Sequence, residues 1–196
     1  MRIVLATRNP GKLAELTEMG GQVPWLELVL APEGFAPDET GKTFFENASI
    51  KARAAAKLTG LPALADDSGL VVEALDGKPG IQSARWCEGS DADRRAKLLS
   101  ALEGVAEERR LAAFMCVMVL CDRSGNVLHS VIRAWPGRIG LTERGANGFG
   151  YDPIFYLLDR DITAAELSRQ EKNRLSHRGQ AWRAMLSFLD ANQGIF

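Results

Sequence analysis

The sequence predicts an α/β fold with a mixed β-sheet and flanking helices. Apolar strand segments alternate with amphipathic helix segments in the first half of the chain, which is typical of parallel strands joined by helices. In the second half, apolar segments at 114–121 and 127–134 flank the polar turn 122–126, the pattern of an antiparallel hairpin. No composition shift marks a linker, so we expect one domain over residues 1–196, with two lobes around a central cleft.

The elements of the first half follow from hydrophobic periodicity and turn composition. The apolar strand Ile3–Ala6 comes first, and a helix with Leu13, Leu16 and Met19 on one face follows it. Thr43 and Glu46 have the spacing of a capping box, which predicts a helix that continues to Leu58. The remaining predicted elements are a strand at 25–30, a loop at 32–42, a strand at 61–65 that ends at Asp66, a further strand at 70–75 and a turn at 76–80.

The second half is predicted in the same way. Leu98, Leu99 and Leu102 form the apolar face of a helix over 91–102, and Trp135-Pro136-Gly137 is expected to break the pairing of the hairpin. The other predicted elements are a strand continuation at 138–141, a glycine-rich loop at 145–152, a capping box from Thr163 to Glu166, and a last helix that begins at Ser176 and turns Ala181, Met185, Leu186 and Leu189 inward.

Composition limits the classes of partner. The chain is 46% hydrophobic with a formal net charge of −1, so nucleic acid and membranes are not expected partners, and a polyanionic ligand needs local cations. The sequence has neither a signal-peptide pattern nor an apolar run of ~20 residues, and the expected location is cytoplasmic. The three cysteines lack metal-ligand spacing; Cys116 and Cys121 are expected to be buried, reduced thiols.

The turn after the first strand is the first candidate site. A strand that ends in a turn and leads into a helix presents backbone N–H groups and a positive dipole end, which suit a phosphate. Lys12 adds a charge, and Thr7 and Asn9 add polar side chains. The turn differs from a Walker A loop, and an ordinary strand–helix junction is the alternative.

Asp66-Asp67-Ser68-Gly69 is the second candidate site. Adjacent carboxylates at the end of a strand repel each other unless a cation or hydrogen bonds compensate them. Carboxylate oxygens suit Mg²⁺, which binds through one or two carboxylates together with substrate phosphates. A solvated acidic turn is the alternative.

Two further segments carry candidate binding residues. Gly145, Gly148 and Gly150 allow close approach of a ligand at the loop Phe149-Gly150-Tyr151-Asp152. The ring of Phe149 or Tyr151 offers a flat surface for a base, with an aromatic core plug as the alternative. His177 and Arg178 at a helix start, with Lys172 upstream, oppose the helix dipole unless an anion is present. His129, in a hairpin strand, is expected to be a surface or packing residue.

Together these features predict a nucleoside triphosphate site. The cations Lys12, Lys51, Lys172 and Arg178, a phosphate-binding turn, paired acids for magnesium and an aromatic face all suit such a ligand. No Ser–His–Asp order or nucleophile elbow is present, so hydrolysis by activated water is the simplest chemistry.

The same motifs resemble those of the inosine triphosphate pyrophosphatase family, the XTP/dITP diphosphatases that cleanse nucleotide pools. The resemblance covers residues 2 to about 190 and implies an elongated mixed sheet, two lobes around a central substrate cleft, Mg²⁺ dependence and a homodimer. It implies that Asp67 is the general base and a metal contact, that a further metal contact falls at Asp38 or Glu39, and that Ser68 contacts substrate. The substrate-binding residues implied are Thr7, Arg8, Asn9, Pro10, Gly11 and Lys12 for the triphosphate, Phe149, Gly150, Tyr151 and Asp152 for the base, and Lys172, His177 and Arg178 for phosphate and purine. Arg8 departs from the glycine expected at that position, and either contacts phosphate or points to solvent.

The predicted reaction is attack of water on the α-phosphorus, which yields a nucleoside monophosphate and pyrophosphate. Because Arg178 carries only donors, the O6 acceptor of hypoxanthine or xanthine suits it better than the amino group of adenine, so ITP, dITP and XTP are expected over ATP. How GTP is excluded does not follow from the sequence. The alternatives are a Maf-like nucleotide pyrophosphatase of other base specificity and a non-catalytic nucleotide-binding sensor.

Overall fold

A computed structural model describes residues 1–195, and within them a six-stranded sheet has the order β2-β1-β3-β4-β5-β6. Strand β1 is parallel to β2 and β3, whereas β5 and β6 are antiparallel, so the predicted mixed sheet is confirmed. The strands are β1 Arg2–Leu5, β2 Glu27–Leu30, β3 Ala63–Val72, β4 Leu111–Cys121, β5 Val127–Ile139 and β6 Phe155–Leu157. The helices are α1 Pro10–Gly20, α2 Phe44–Thr59, α3 Asp91–Ala101, α4 Arg169–Leu175 and α5 His177–Ala191. Short 3₁₀ turns occur at Glu73–Leu75, Gly80–Arg85, Glu107–Arg109, Asp152–Ile154, Ala164–Glu166 and Gln193–Ile195.

The chain groups into two compact units. The first comprises Met1–Asp67, Cys116–Arg133 and the described residues from Arg178 onward; the second comprises Ser68–Met115 and Ala134–His177. No described helix combines the length and apolar character that crossing a bilayer requires.

Strands in the first unit bury side chains on both faces. Ile3 and Leu5 belong to one apolar cluster and Val4 and Ala6 to another, because successive side chains of a strand point to opposite faces. Helices α1 and α5 cover the first face through Leu16, Met19, Ala181, Trp182, Met185 and Leu189, and α2 covers the second through Ala48, Ala52, Ala55 and Ala56. The near-continuous apolar composition of these strands follows from this double burial.

The helix starts agree with the predictions, with one correction. The hydroxyl oxygen of Thr43 accepts a hydrogen bond from the N–H of Glu46 (3.1 Å) and caps α2 as predicted. The carboxylate of Glu46, however, accepts from the N–H of Lys42 (2.5 Å), one residue before the cap, so the full capping box predicted there is wrong. The predicted box from Thr163 to Glu166 is present, on a 3₁₀ turn.

Two strands are longer than predicted, and both corrections concern residues that often end strands. Strand β3 continues through Asp66, Asp67 and Ser68 to Val72, so the prediction of two strands separated at the acidic pair is wrong. Strand β5 continues through Trp135-Pro136-Gly137, with Pro136 exposed, so the predicted break is also wrong. Strand β6 and helix α4 were not predicted from the sequence.

The core of the second unit contains Leu70, Leu98, Phe114, Trp135 and Phe155. Gly137 lets β6 approach β5 closely, since a Cβ there would lie 2.3 Å from the ring of Phe155 and 2.7 Å from the carbonyl oxygen of Tyr156. The tight pairing of β5 with β6 therefore needs glycine at this position.

Candidate functional site

The turn after β1 forms the strand–turn–helix junction that the sequence predicts. The side chain of Asn9 caps α1 by accepting a hydrogen bond from the N–H of Lys12 (3.1 Å), and the hydroxyl oxygen of Thr7 accepts from the N–H of Asn9 (3.3 Å). Pro10 is the first helical residue, where its missing N–H is no loss. Arg8 is exposed, and its role, a phosphate contact or a solvent-facing side chain, stays a prediction with two alternatives.

Asp66 lies between two buried cations. Its carboxylate is 3.0 Å from the Nζ of Lys12 and 3.3 Å from the Nε of Arg178, and all three side chains are almost fully buried. Burial alone would raise the pKa of Asp66, but Lys12 and Arg178 outweigh it and hold that pKa well below its ordinary value. Asp66 is therefore a permanent counter-ion inside the first unit.

Arg178 is paired a second time with Glu15, whose carboxylate lies 2.6 Å from its Nη1. Burial would lower the pKa of Arg178, but the two carboxylates raise it above its usual value. Glu15 was not predicted as part of the site, because one acidic residue on an amphipathic helix normally belongs to the solvated face. Its place three residues after Lys12, on the same helix face, was the available signal.

Asp67 occupies a different environment, although it is the next residue. Its Oδ1 lies 3.2 Å from the Nζ of Lys51 on α2, and Lys51 is also 3.1 Å from the carboxylate of Glu39. The Oδ2 of Asp67 is buried and has no hydrogen-bond partner. Burial raises the pKa of Asp67 above its ordinary value, and Lys51 and Lys12 only partly oppose this effect.

Strand geometry explains why neighbours differ so much. Leu64 belongs to the cluster under α1 and α5, whereas Ala63 and Ala65 belong to the cluster under α2. Because side chains alternate along a strand, Asp66 shares the face of Leu64, and Asp67 shares the face of Ala65. The two carboxylates therefore meet cations from different helices.

The cluster suits a hard divalent cation. Four carboxylates (Glu15, Glu39, Asp66, Asp67) face three cations (Lys12, Lys51, Arg178), which leaves one net negative charge when all are ionised. The buried, unpartnered oxygen of Asp67 is the kind of donor that such an ion binds. Within residues 1–195 no three His, Cys, Asp or Glu side chains group closely enough to enclose a metal, so the protein would supply only part of the ligand shell. Asp38 is exposed, and Glu39 is the one of the two predicted residues that joins the cluster.

The second unit holds the predicted aromatic loop. The Oδ2 of Asp152 accepts hydrogen bonds from the Nζ of Lys172 (2.5 Å) and the N–H of Phe149 (2.8 Å). The same ammonium lies 4.6 Å from the centre of the Phe149 ring. Gly148 has φ +74, and a Cβ there would lie 2.1 Å from the Asp152 carboxylate, so the turn needs glycine.

Tyr151 and His177 are packed inside the second unit. The hydroxyl of Tyr151 donates to the carbonyl oxygen of Ser83 (2.9 Å), and burial raises its pKa. Its burial agrees with the alternative of an aromatic core plug, whereas Phe149 is only half-buried. His177 stacks on Phe114, with ring centres 4.9 Å apart and planes 10° apart. Ser68 is half-buried on β3.

The structure thus unites three of the four predicted segments in the first unit: the turn through Lys12, the acidic pair, and Arg178. Lys172, His177 and the aromatic loop belong to the second unit. His129 stacks on Phe188 with ring centres 4.0 Å apart, as expected for a packing residue. Cys116 and Cys121 are buried as predicted, and burial raises the pKa of their thiols to about 12 and about 11.

The fold is therefore that of an α/β protein with a mixed sheet. Its buried lysines, arginine and paired aspartates lie beside a strand–turn–helix junction, and their charges have the chemistry to bind a polyanion together with a cation. The Ham1 family model matches residues 3–188, and the chain belongs to this family. It is 51% identical over 193 residues to a dITP/XTP pyrophosphatase of Yersinia pseudotuberculosis, covering 96% of this chain and 98% of that protein.

Solved structures of related proteins have the same fold. A Ham1 protein from Coxiella burnetii superimposes with a TM-score of 0.85 at 46% identity, covering 97% of this chain and 99% of that one. A nucleoside-triphosphatase, dITP/XTP pyrophosphatase, from Mycobacterium abscessus gives a TM-score of 0.75 at 46% identity, covering 96% and 100%. The fold and the near-complete coverage leave no large segment unmatched.

Proposed function

We propose that this protein is a nucleoside-triphosphate diphosphatase that hydrolyses ITP, dITP, XTP and dXTP to the monophosphate and pyrophosphate. This activity removes deaminated purines from the nucleotide pool before they enter DNA or RNA. The names of its relatives support the substrate class. The observation that carries the chemistry is the buried Oδ2 of Asp67, which has no hydrogen-bond partner. The other oxygen, Oδ1, pairs with Lys51, which also pairs with Glu39.

The turn from Thr7 to Lys12, with Lys51, is assigned to the triphosphate. A polyanion brings several negative charges, and the ammonium groups of Lys12 and Lys51 compensate them inside a buried, low-dielectric cluster. The start of α1 adds the positive end of its dipole. Arg8, being exposed, is given only a peripheral role in this proposal.

Asp67 is assigned as the general base that accepts a proton from the attacking water. Its pKa, raised by burial, brings the carboxylate nearer to the range in which a base works efficiently. Asp67 and Glu39 are the residues that would hold Mg²⁺, in preference to the exposed Asp38. When bound, the ion supplies positive charge to the triphosphate.

The loop from Phe149 to Asp152, with Lys172 and His177, is assigned to the purine. Phe149 offers a half-buried ring face, and Lys172 with Asp152 supplies donors and acceptors beside it. Arg178 remains the proposed donor to the O6 atom, and its ion pairs with Asp66 and Glu15 fix the plane of the guanidinium. Ser68 is a further proposed substrate contact.

A pyrophosphate-release assay with purified protein and Mg²⁺ tests the proposal. Values of kcat/KM for ITP, dITP and XTP should exceed that for ATP by about 10⁴-fold. Comparable values for ATP and ITP contradict the base assignment. Turnover of other nucleotides only supports a Maf-like enzyme, and tight binding without turnover supports a sensor.

We further propose that the protein is a homodimer, that it is cytoplasmic, and that Mg²⁺ is its physiological ion. Nucleic acid and membranes are not proposed as partners. A single domain over residues 1–196 is proposed because the family model spans segments of both units.

A further inference from the structure

Helix α3, which the proposed function does not use, holds the middle of the aromatic loop by its backbone. The carboxylate of Asp91 accepts a hydrogen bond from the N–H of Gly150 (2.8 Å). The Nη1 of Arg95 donates to the carbonyl oxygen of the same residue (2.9 Å). These contacts join residues 59 and 55 positions apart in the sequence, so they are not local turn geometry.

The start of α3 is built to present this pair. Ser90 and Asp93 form a capping box that fixes the first turn of the helix. Asp91 and Arg95 are four residues apart and therefore lie on the same helix face. Arg95 is further oriented by an ion pair with Glu143 (2.9 Å), and its side chain is largely buried.

Gly150 is the residue of the loop that α3 holds, and it is intrinsically flexible. Its φ is +62, and a glycine adopts either sign of φ at little cost. The two bonds from α3 fix the peptide planes on both sides of it, and one of these planes leads directly to Phe149. The other residues of the loop have anchors of their own. Tyr151 bonds to Ser83, Asp152 to Lys172, and the N–H of Phe149 to Asp152.

We propose that Asp91 and Arg95 are positioning residues for base recognition: they clamp Gly150 so that the Phe149 ring is held ready for the purine. This inference rests on the proposed function, because it assumes that the loop binds the base. It predicts that the clamp governs affinity for the nucleobase and not for the triphosphate.

The test compares Asp91→Ala and Arg95→Ala with Asp93→Ala. The last is a matched control, because it removes an aspartate from the same turn and weakens the same helix start but has no bond to Gly150. Calorimetric Kd values are measured for IMP and for inorganic tripolyphosphate, which lacks a base. Each clamp variant should bind IMP about tenfold more weakly and tripolyphosphate as the wild type does.

Steady-state kinetics and a conservative variant, Asp91→Asn, distinguish a positioning role from a merely structural one. KM for ITP should rise about tenfold while kcat changes by less than about twofold, since the proposed hydrolytic groups lie on other elements. Asp91→Asn keeps an acceptor oxygen and should restore most of the IMP affinity. The double variant should be little worse than either single one, because both side chains hold one residue.

Equal weakening of IMP and tripolyphosphate, or the same loss in Asp93→Ala, overturns the clamp. Failure of the proposed function is a separate result: wild-type protein would then release no pyrophosphate from ITP, dITP or XTP. In that case the Kd values still decide the inference, and wild-type protein that binds IMP no better than inorganic phosphate overturns it.

Discussion

Asp66 and Asp67 are adjacent in sequence but belong to two different regions of the first unit. Asp66 faces α1 and α5, where Lys12 and Arg178 keep its pKa low. Asp67 faces α2, where burial raises its pKa and one of its oxygens has no hydrogen-bond partner. Asp66 therefore stabilises the buried cations Lys12 and Arg178, whereas Asp67 has an unpartnered oxygen, and the proposed function assigns it as the general base.

The largest expected effect comes from substitution of Asp67. Asp67→Asn should lower kcat for ITP by about 10²–10⁴-fold, because the amide cannot accept the proton of the attacking water. The melting temperature should change little or rise, since the substitution removes a charge whose ionisation burial disfavours. Steady-state assays and thermal melting measure both quantities, and normal turnover contradicts the role of Asp67 as base.

Substitution of Asp66 should instead lower the free energy of unfolding. Asp66→Asn leaves the buried Lys12 and Arg178 short of a counter-ion, and breaking a buried ion pair in this way costs about 3–5 kcal/mol. Urea unfolding measures this loss. Asp159→Asn is the control, because the Asp159 side chain is exposed and its ion pair within the described residues is with the neighbouring Arg160. Equal unfolding free energies for Asp66→Asn and Asp159→Asn would contradict the role of Asp66 as a stabilising counter-ion.

In acid unfolding of the metal-free protein, Asp66 and Asp67 should change the stability in opposite directions as the pH falls. The pKa of Asp66 is lower in the folded state, so its stabilisation is complete above its ordinary pKa and is lost as the pH falls through the folded value. The pKa of Asp67 is higher in the folded state, so its protonation favours folding as the pH falls. The stability of Asp66→Asn should therefore approach that of the wild type in strong acid, whereas Asp67→Asn should lose its advantage there. Parallel pH curves for all three proteins would contradict both assignments.

A smaller effect is expected at Glu39. Glu39→Gln should raise the Mg²⁺ concentration for half-maximal activity by about tenfold, if the carboxylate beside Lys51 contributes to ion binding. Glu33→Gln removes an exposed charge from the same loop and serves as the control. A larger shift in Asp38→Asn than in Glu39→Gln would reverse the choice between these two acids.

The sequence predicted the charged residues of the candidate site best, because charged side chains beside apolar strands have few structural roles. Lys12 after a strand, the twin aspartates and the cations around position 177 predicted one charged cluster, and the first unit does bring Lys12, both aspartates and Arg178 together. The alternation of β3 was not predictable in the same way. Two carboxylates normally end an apolar strand, and only the tertiary supply of cations from α1, α2 and α5 makes them tolerable inside it.

Other misses have similar causes. Pro136 lacks an N–H and reads as a strand breaker, but its exposed position in β5 tolerates it. Strand β6 has three residues, too few for periodicity to detect. Glu15 and the bonds of α3 to Gly150 depend on contacts between residues far apart in sequence, which no local pattern encodes.

The burial of Cys116 and Cys121 has a practical consequence for experiments on this molecule. Thiols with pKa values of about 12 and about 11 carry almost no thiolate at neutral pH, and neither side chain reaches solvent. Cys87 is the partly exposed cysteine among the three of the chain. A maleimide fluorophore should therefore attach at Cys87 alone, giving a uniquely labelled wild-type protein without mutagenesis.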